Sequence, residues 1–224
     1  MCVGFLLLLL LLFVCFCFFT GCLCSLTQIL INPALQALNF ATPSYQDNAR
    51  LLPGITSAEK EATNWLRYAG AVPRHLPKLL ANQHVSHAHV TRLHPHLDSR
   101  RRLPAYLNLT KRHTAPSRRA EPSVARDMDP WVTDPRFCPM LVPNVTGVAN
   151  AYVIAAQYDV LRDEAVMYAH RLLESKVKVK LKHYPNAFHG FFMYSGGGWL
   201  TFRDSVEAMD DLVQFLNLHI FGIY

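Results

Sequence analysis

Residues 151–164 read AYVIAAQYDVLRDE, and residues 177–192 read VKVKLKHYPNAFHGFF. The run from Ala151 to Ala156 is continuously apolar, the pattern of a strand buried on both faces of a parallel sheet. Asp163 and Glu164 then open a helix that carries Val166, Ala169 and Leu173 on one face and ends near Lys176, and both charge placements suit the helix dipole. Val177 to Lys182 alternates strictly, which predicts a strand with one buried face and three outward lysines, as at the edge of a sheet. Together these make a βαβ unit. A last helix is expected from about Arg203 to Leu218, with Val206, Met209, Val213 and Leu216 facing the sheet.

Two titratable residues fall just beyond the two strands. Asp159 follows the first by two residues, and His189 lies in the loop after the second. The crossover between parallel strands is right-handed, so both strands end on one side and both residues belong to one rim of the sheet. An Asp that orients a His is half of a nucleophilic triad, in which the carboxylate fixes the imidazole tautomer and stabilises the imidazolium. In α/β hydrolases the chain order is Ser, Asp, His.

Working outward, residues 29 to 54 are apolar and irregular, punctuated by Pro33, Pro43 and the Pro53-Gly54 pair. Thr56 and Glu59 make a capping box, followed by Ala62, Trp65, Leu66 and Ala69 at helical spacing up to Gly70. From His84 to Arg126 nine Lys and Arg stand against two acids, and six of the 11 His fall there. His87 with His89, or His94 with His96, lacks the Cys or carboxylate partners of a metal shell. Arg100, Arg101 and Arg102 lack the aromatic interleaving of a nucleic-acid surface, with Tyr106 alone nearby. The segment reads as a solvated, poorly packed excursion, and neither a metal, a cofactor nor a nucleic-acid partner is expected.

The amino-terminal stretch is of another kind. From Phe5 to Leu23 only Thr20 and Gly21 are neither large apolar residues nor Cys, and the first charged side chain is Asp47. The 15 Leu, Phe and Val residues from Val3 to Leu23 favour a bilayer by roughly −6 kcal/mol on an insertion scale. With no basic residue ahead of the run and an apolar length that spans, a signal-anchor helix over residues 1–28 is expected rather than a cleaved signal. Five of the six Cys lie in or beside it, leaving Cys138 alone and excluding a disulfide framework. Asn108-Leu109-Thr110 and Asn144-Val145-Thr146 fit the N-glycosylation pattern and favour a lumenal body.

Four segments in order, INPALQALNFATPSYQ (31–46), FCPMLVP (137–143), AQYDVLRDE (156–164) and NAFHGFF (186–192), resemble the C-terminal half of the arylacetamide deacetylase and neutral cholesterol ester hydrolase family. The resemblance implies a hormone-sensitive-lipase-like α/β hydrolase: a carboxylesterase of lipid metabolism, anchored in the endoplasmic reticulum membrane with a lumenal catalytic part, acting on acyl ester or lipid substrates without a cofactor. It makes Asp159 the triad acid and His189 the triad base, and residues 29–219 a partial α/β-hydrolase domain with the basic excursion at 84–126. The family's His-Gly-Gly-Gly oxyanion loop and Gly-Asp-Ser-Ala-Gly elbow have no counterpart among the ten Gly, and Ser195-Gly196-Gly197-Gly198 follows the His instead of preceding it. A truncated, inactive esterase relative is therefore expected. The alternative is a non-catalytic membrane-anchored protein acting through a partner chain. In either, the strand that flanks Ala151–Ala156 is expected to be missing, with an apolar edge exposed.

Overall fold

The computed structural model describes residues 27–51, 55–107 and 119–218. The apolar run up to Leu23, the Pro53-Gly54 pair and Asn108 lie outside the described residues, among which no helix is long and apolar enough to cross a membrane. Three parallel strands form one sheet in the order β1-β2-β3: β1 (Thr27–Ile31), β2 (Asn150–Tyr158) and β3 (Val179–Phe188).

The central strand explains its own sequence. Ala151, Val153 and Ala155 of β2 pack into a large core shared with α7 (Arg162–Glu174), whereas Tyr152, Ile154 and Ala156 pack on the other face against α8 (Arg203–Leu216). With a helix on each face, every position from Ala151 to Ala156 is buried, hence the unbroken apolar run between Asn150 and Gln157. β3 begins at Val179, two residues later than expected, with Lys178 exposed just before it and Lys180 exposed within it; Lys182 pairs with Asp211 of α8 at 2.8 Å, and the Tyr184 hydroxyl donates to the same carboxylate at 2.7 Å.

Three expectations are corrected. β2 is not left with an open apolar edge, because Thr27–Ile31 pairs with it in parallel, Ile29 opposite Tyr152. Only Cys24, Ser25 and Leu26 separate Leu23 from that strand, which includes residue 28. In α8 the buried stripe is Ser205, Ala208, Leu212 and Phe215, one step round from the expected one, and Val206 and Val213 face outward. The small Ser205 and Ala208 let the helix sit close on the sheet, and Phe215 reaches Tyr152 with ring centroids 4.6 Å apart.

The third concerns the long crossover from β1 to β2. It carries α1 (Pro43–Asn48), α2 (Ala58–Tyr68), α3 (Leu76–Leu80), α4 (His87–Leu93), α5 (Ser99–Arg102) and α6 (Pro122–Val132). The basic stretch is packed in its described parts, since Val85, Leu93, Leu97, Leu103, Leu107 and Val124 enter the large core. Two of its buried polar side chains make contacts inside: His84 Nε2 meets the Ala37 carbonyl at 2.7 Å, and Arg102 Nη2 donates to Glu174 at 3.2 Å. The cap of α2 is Ser57, whose hydroxyl accepts from Lys60 N, one residue beyond the Thr56 of the expected capping box.

Candidate active site

Asp159 follows the last residue of β2 and His189 the last residue of β3, so the parallel pairing puts both at the carboxyl end of the sheet. Plain register would not align them. Ala156 pairs with Tyr184 but Tyr158 pairs with Phe188, so β3 spends four residues where β2 spends two. Pro185, which has no N–H to give a ladder, sits in that irregularity. The shift brings His189 level with Asp159. Gly190 then turns the chain with φ +76°, a conformation an L side chain resists, and Phe191 buries itself behind the turn.

The two side chains meet, with His189 Nδ1 3.0 Å from Asp159 Oδ2. Asp159 is fully buried. Its Oδ1 accepts from Leu161 N at 3.0 Å, its Oδ2 also accepts from Asn32 Nδ2 at 2.7 Å, and its carbonyl accepts from Asn48 Nδ2 at 2.9 Å. A carboxylate in this network only accepts, so Nδ1 of His189 carries the proton and Nε2 is the basic nitrogen of the neutral ring. The imidazole is about one-third exposed. Among the described residues no serine hydroxyl hydrogen-bonds to it.

Burial disfavours the charged imidazole. The Asp159 carboxylate, through its charge and its hydrogen bond, and the Glu61 carboxylate of α2 outweigh burial and the opposing Lys60 charge, so His189 titrates above its ordinary range. Glu61 is itself buried, which pushes its carboxyl up. The arrangement can take a proton at Nε2 and stabilise the resulting imidazolium.

The segment after β1 builds the support. Asn32, Leu35, Gln36, Ser44 and Asn48 all reach the β2–α7 turn or the first turn of α7. Glu164 accepts from Leu35 N at 2.7 Å, Gln36 N at 3.2 Å and Gln36 Nε2 at 3.1 Å, and burial pushes its carboxyl up to about 8 despite those donors. Asp163 accepts from Ser44 N at 2.7 Å and from Arg162 Nε at 2.9 Å. These acids, expected only to complement a helix dipole, are buried ties between two loops. Residues 32–48 carry seven Asn, Gln, Ser and Thr beside a single charge, and that density was the available signal for a polar buried network.

A second Ser, His and Asp set exists and is built differently. Ser86 Oγ lies 3.1 Å from His89 Nδ1, and Asp129 Oδ2 lies 3.0 Å from the same nitrogen. A relay needs serine and aspartate on opposite nitrogens, so this set docks the start of α4 on α6, with Asp129 Oδ1 also accepting from Ser86 N. Cys138 is buried with its thiol pushed far up by burial, which removes the thiolate a nucleophile requires. Among the described residues no group of three His, Cys, Asp or Glu converges as a metal shell would. Ser195 to Gly198 lie between a short turn and α8, beyond His189. Asn144 is exposed, its Oδ1 accepting from Thr146 N at 2.8 Å.

A family model described as the alpha/beta hydrolase fold matches residues 69–193. Arylacetamide deacetylase of Oryctolagus cuniculus is 35% identical over 173 residues, covering 76% of this chain and 42% of that one. Neutral cholesterol ester hydrolase 1 of Bos taurus is 28% identical over 200 residues, covering 86% and 47%. A solved fungal esterase from Rhizomucor miehei aligns with a TM-score of 0.48 at 20% identity, covering 85% of this chain and 40% of that one. The chain spans about half the length of the curated relatives it matches.

Proposed function

From the premise that the chain belongs to the α/β-hydrolase family of arylacetamide deacetylase and neutral cholesterol ester hydrolase, we propose that Asp159 and His189 are the acid and base of an ester-hydrolysing site. The observation that carries this reading is the 3.0 Å contact between a fully buried carboxylate and a partly exposed imidazole at the shared rim of parallel strands. His189 Nε2 would take the proton of an attacking hydroxyl, and Asp159 would hold the ring and balance its charge. The relatives' names give a cholesterol ester in one case and an arylacetamide in the other, and acyl esters of the lipid kind are the substrate class we take from them for this site.

The 224 residues contain no G-x-S-x-G, so this chain taken alone has a base without a nucleophile. We therefore expect it, as a purified protein, to hydrolyse no short acyl ester above background and to take no label from a serine-directed fluorophosphonate. Stoichiometric labelling of any serine would overturn that statement. The apolar run to Leu23 supports membrane attachment, and sequons at Asn108 and Asn144 support a body in the lumen of the endoplasmic reticulum.

A further inference from the structure

Asn32 is the first residue after β1, and its backbone is left-handed, with φ +47°. Asn tolerates that region better than other side-chain-bearing residues. Its backbone N–H still donates to the Ile154 carbonyl at 3.0 Å, which fixes the turn against β2. From there the side chain runs to the acid of the candidate site. Asn32 Nδ2 lies 2.7 Å from Asp159 Oδ2, closer than the 3.0 Å of His189 Nδ1 to the same oxygen. Flipping the amide would set oxygen against carboxylate, so the donor must face Asp159. The other amide atom, Oδ1, is buried and meets no partner. A buried acceptor left unpaired costs about 1–3 kcal/mol, and a left-handed non-glycine residue adds strain.

Both costs are tolerated at the one residue that shares the acid's oxygen with the imidazole. Resting on the reading of Asp159 and His189 as an acid–base pair, we infer that Asn32 is a positioning residue, whose amide fixes the Asp159 carboxylate and divides its charge between a neutral donor and the imidazole. Leu161 N holds Oδ1 and Asn32 holds Oδ2, so the carboxylate plane cannot rotate away from His189. Without the amide, Oδ2 would have the imidazole as its only donor, and the negative charge would concentrate on that bond. The other charged groups acting on the imidazole, Glu61 and Lys60 of α2, stay as they are.

The test is imidazole-nitrogen and proton NMR of the full chain in detergent, comparing wild type, Asn32→Gly and Asp159→Asn. Glycine accepts the left-handed backbone, so Asn32→Gly removes the amide without adding strain. The expected result is a His189 titration moved upward and an Nδ1 proton moved downfield in Asn32→Gly, with the titration moved downward in Asp159→Asn. In wild type, the Asn32 side-chain amide protons should shift in step with the His189 titration, a measurement that needs no variant to fold. If Asp159→Asn leaves His189 unmoved, the acid–base pairing itself fails and the inference falls with it. If Asp159→Asn moves the titration but Asn32→Gly does not, or the Asn32 amide protons ignore it, the positioning role alone is overturned. Turnover enters none of these readings, so an inactive chain tests the inference as well as an active one.

Discussion

His189 Nδ1 and Asp159 Oδ2 stand 3.0 Å apart although 30 residues separate them along the chain. Because the folded His189 titrates above its unfolded value, its pairing contributes stability fully present below the ordinary imidazole range near pH 6.5 and lost as pH rises through the raised value. Urea denaturation at pH 5.5 and pH 8.5 should therefore show a larger gap for wild type than for His189→Ala. A hydrogen bond to a charged group is worth about 2 kcal/mol, which sets the scale of the loss at the lower pH. Equal gaps in the two proteins would mean the pair is not charged in the native state.

Glu61 supplies the second carboxylate that holds His189 up, and burial pushes its own carboxyl up as well. Replacing it by Gln should bring the His189 titration down toward the ordinary imidazole range. A raised carboxyl contributes stability at acid pH that is lost as the group ionises, so Glu61→Gln should also lose less stability than wild type on going from acid to alkaline buffer. A His189 titration that does not move would detach α2 from the site's electrostatics.

Glu164 ties α7 to the loop after β1 through three donors. Glu164→Ala leaves the N–H groups of Leu35 and Gln36 buried and without this acceptor, and should cost about 3 kcal/mol. Calorimetry reads the loss, and hydrogen exchange should accelerate first at Leu35 and Gln36. Unchanged exchange there would show that the loop is held by other means.

The parts of this fold that a sequence shows are those whose period is set by a single environment. β2 is of that kind, apolar from Ala151 to Ala156 because helices cover both faces, whereas α7 shows through the acids of its first turn and its apolar face differs from the expected one, with Leu172 buried and Leu173 exposed. β1 was hidden because its five residues, TQILI, lie only a few positions beyond the apolar run and are too few to show a period. α8 carries two adjacent apolar stripes, and only the close approach of Ser205 and Ala208 to the sheet chooses between them. Asp159 and His189 could be placed on one rim from topology and resemblance, while Asn32 and Glu61 could not. Asn32 stands 127 residues from Asp159, and Glu61 acts on the His189 loop from a separate helix, and no local pattern records such contacts.

The Ser86, His89 and Asp129 set should prove inert toward esters. Ser86→Ala ought to change neither fluorophosphonate labelling nor ester turnover, and to alter stability by no more than about 1 kcal/mol. Loss of a label in that variant would mean the set is reactive after all.

Asn144 is exposed and belongs to a sequon. Expressed in animal cells, the protein should gain gel mobility on glycosidase treatment, and part of that shift should vanish in Asn144→Gln. A band insensitive to the enzyme would argue against a lumenal body.

Parallel strands give the molecule a bottom and a top. Thr27 begins β1 at the end of the sheet opposite the rim, and the five residues of that strand rise about 17 Å before Asn32 touches Asp159. Leu23 and Thr27 are four Cα steps apart, about 14 Å at full stretch. If the apolar run lies in a bilayer, as proposed, a link of that reach would hold the strand starts nearest the lipid and leave His189 at the opposite end of the sheet. On the proposed reading, an ester drawn from that bilayer would have to leave its leaflet and pass the length of the sheet to reach the imidazole, so an anchor at this end would set the chemistry away from the membrane that holds it.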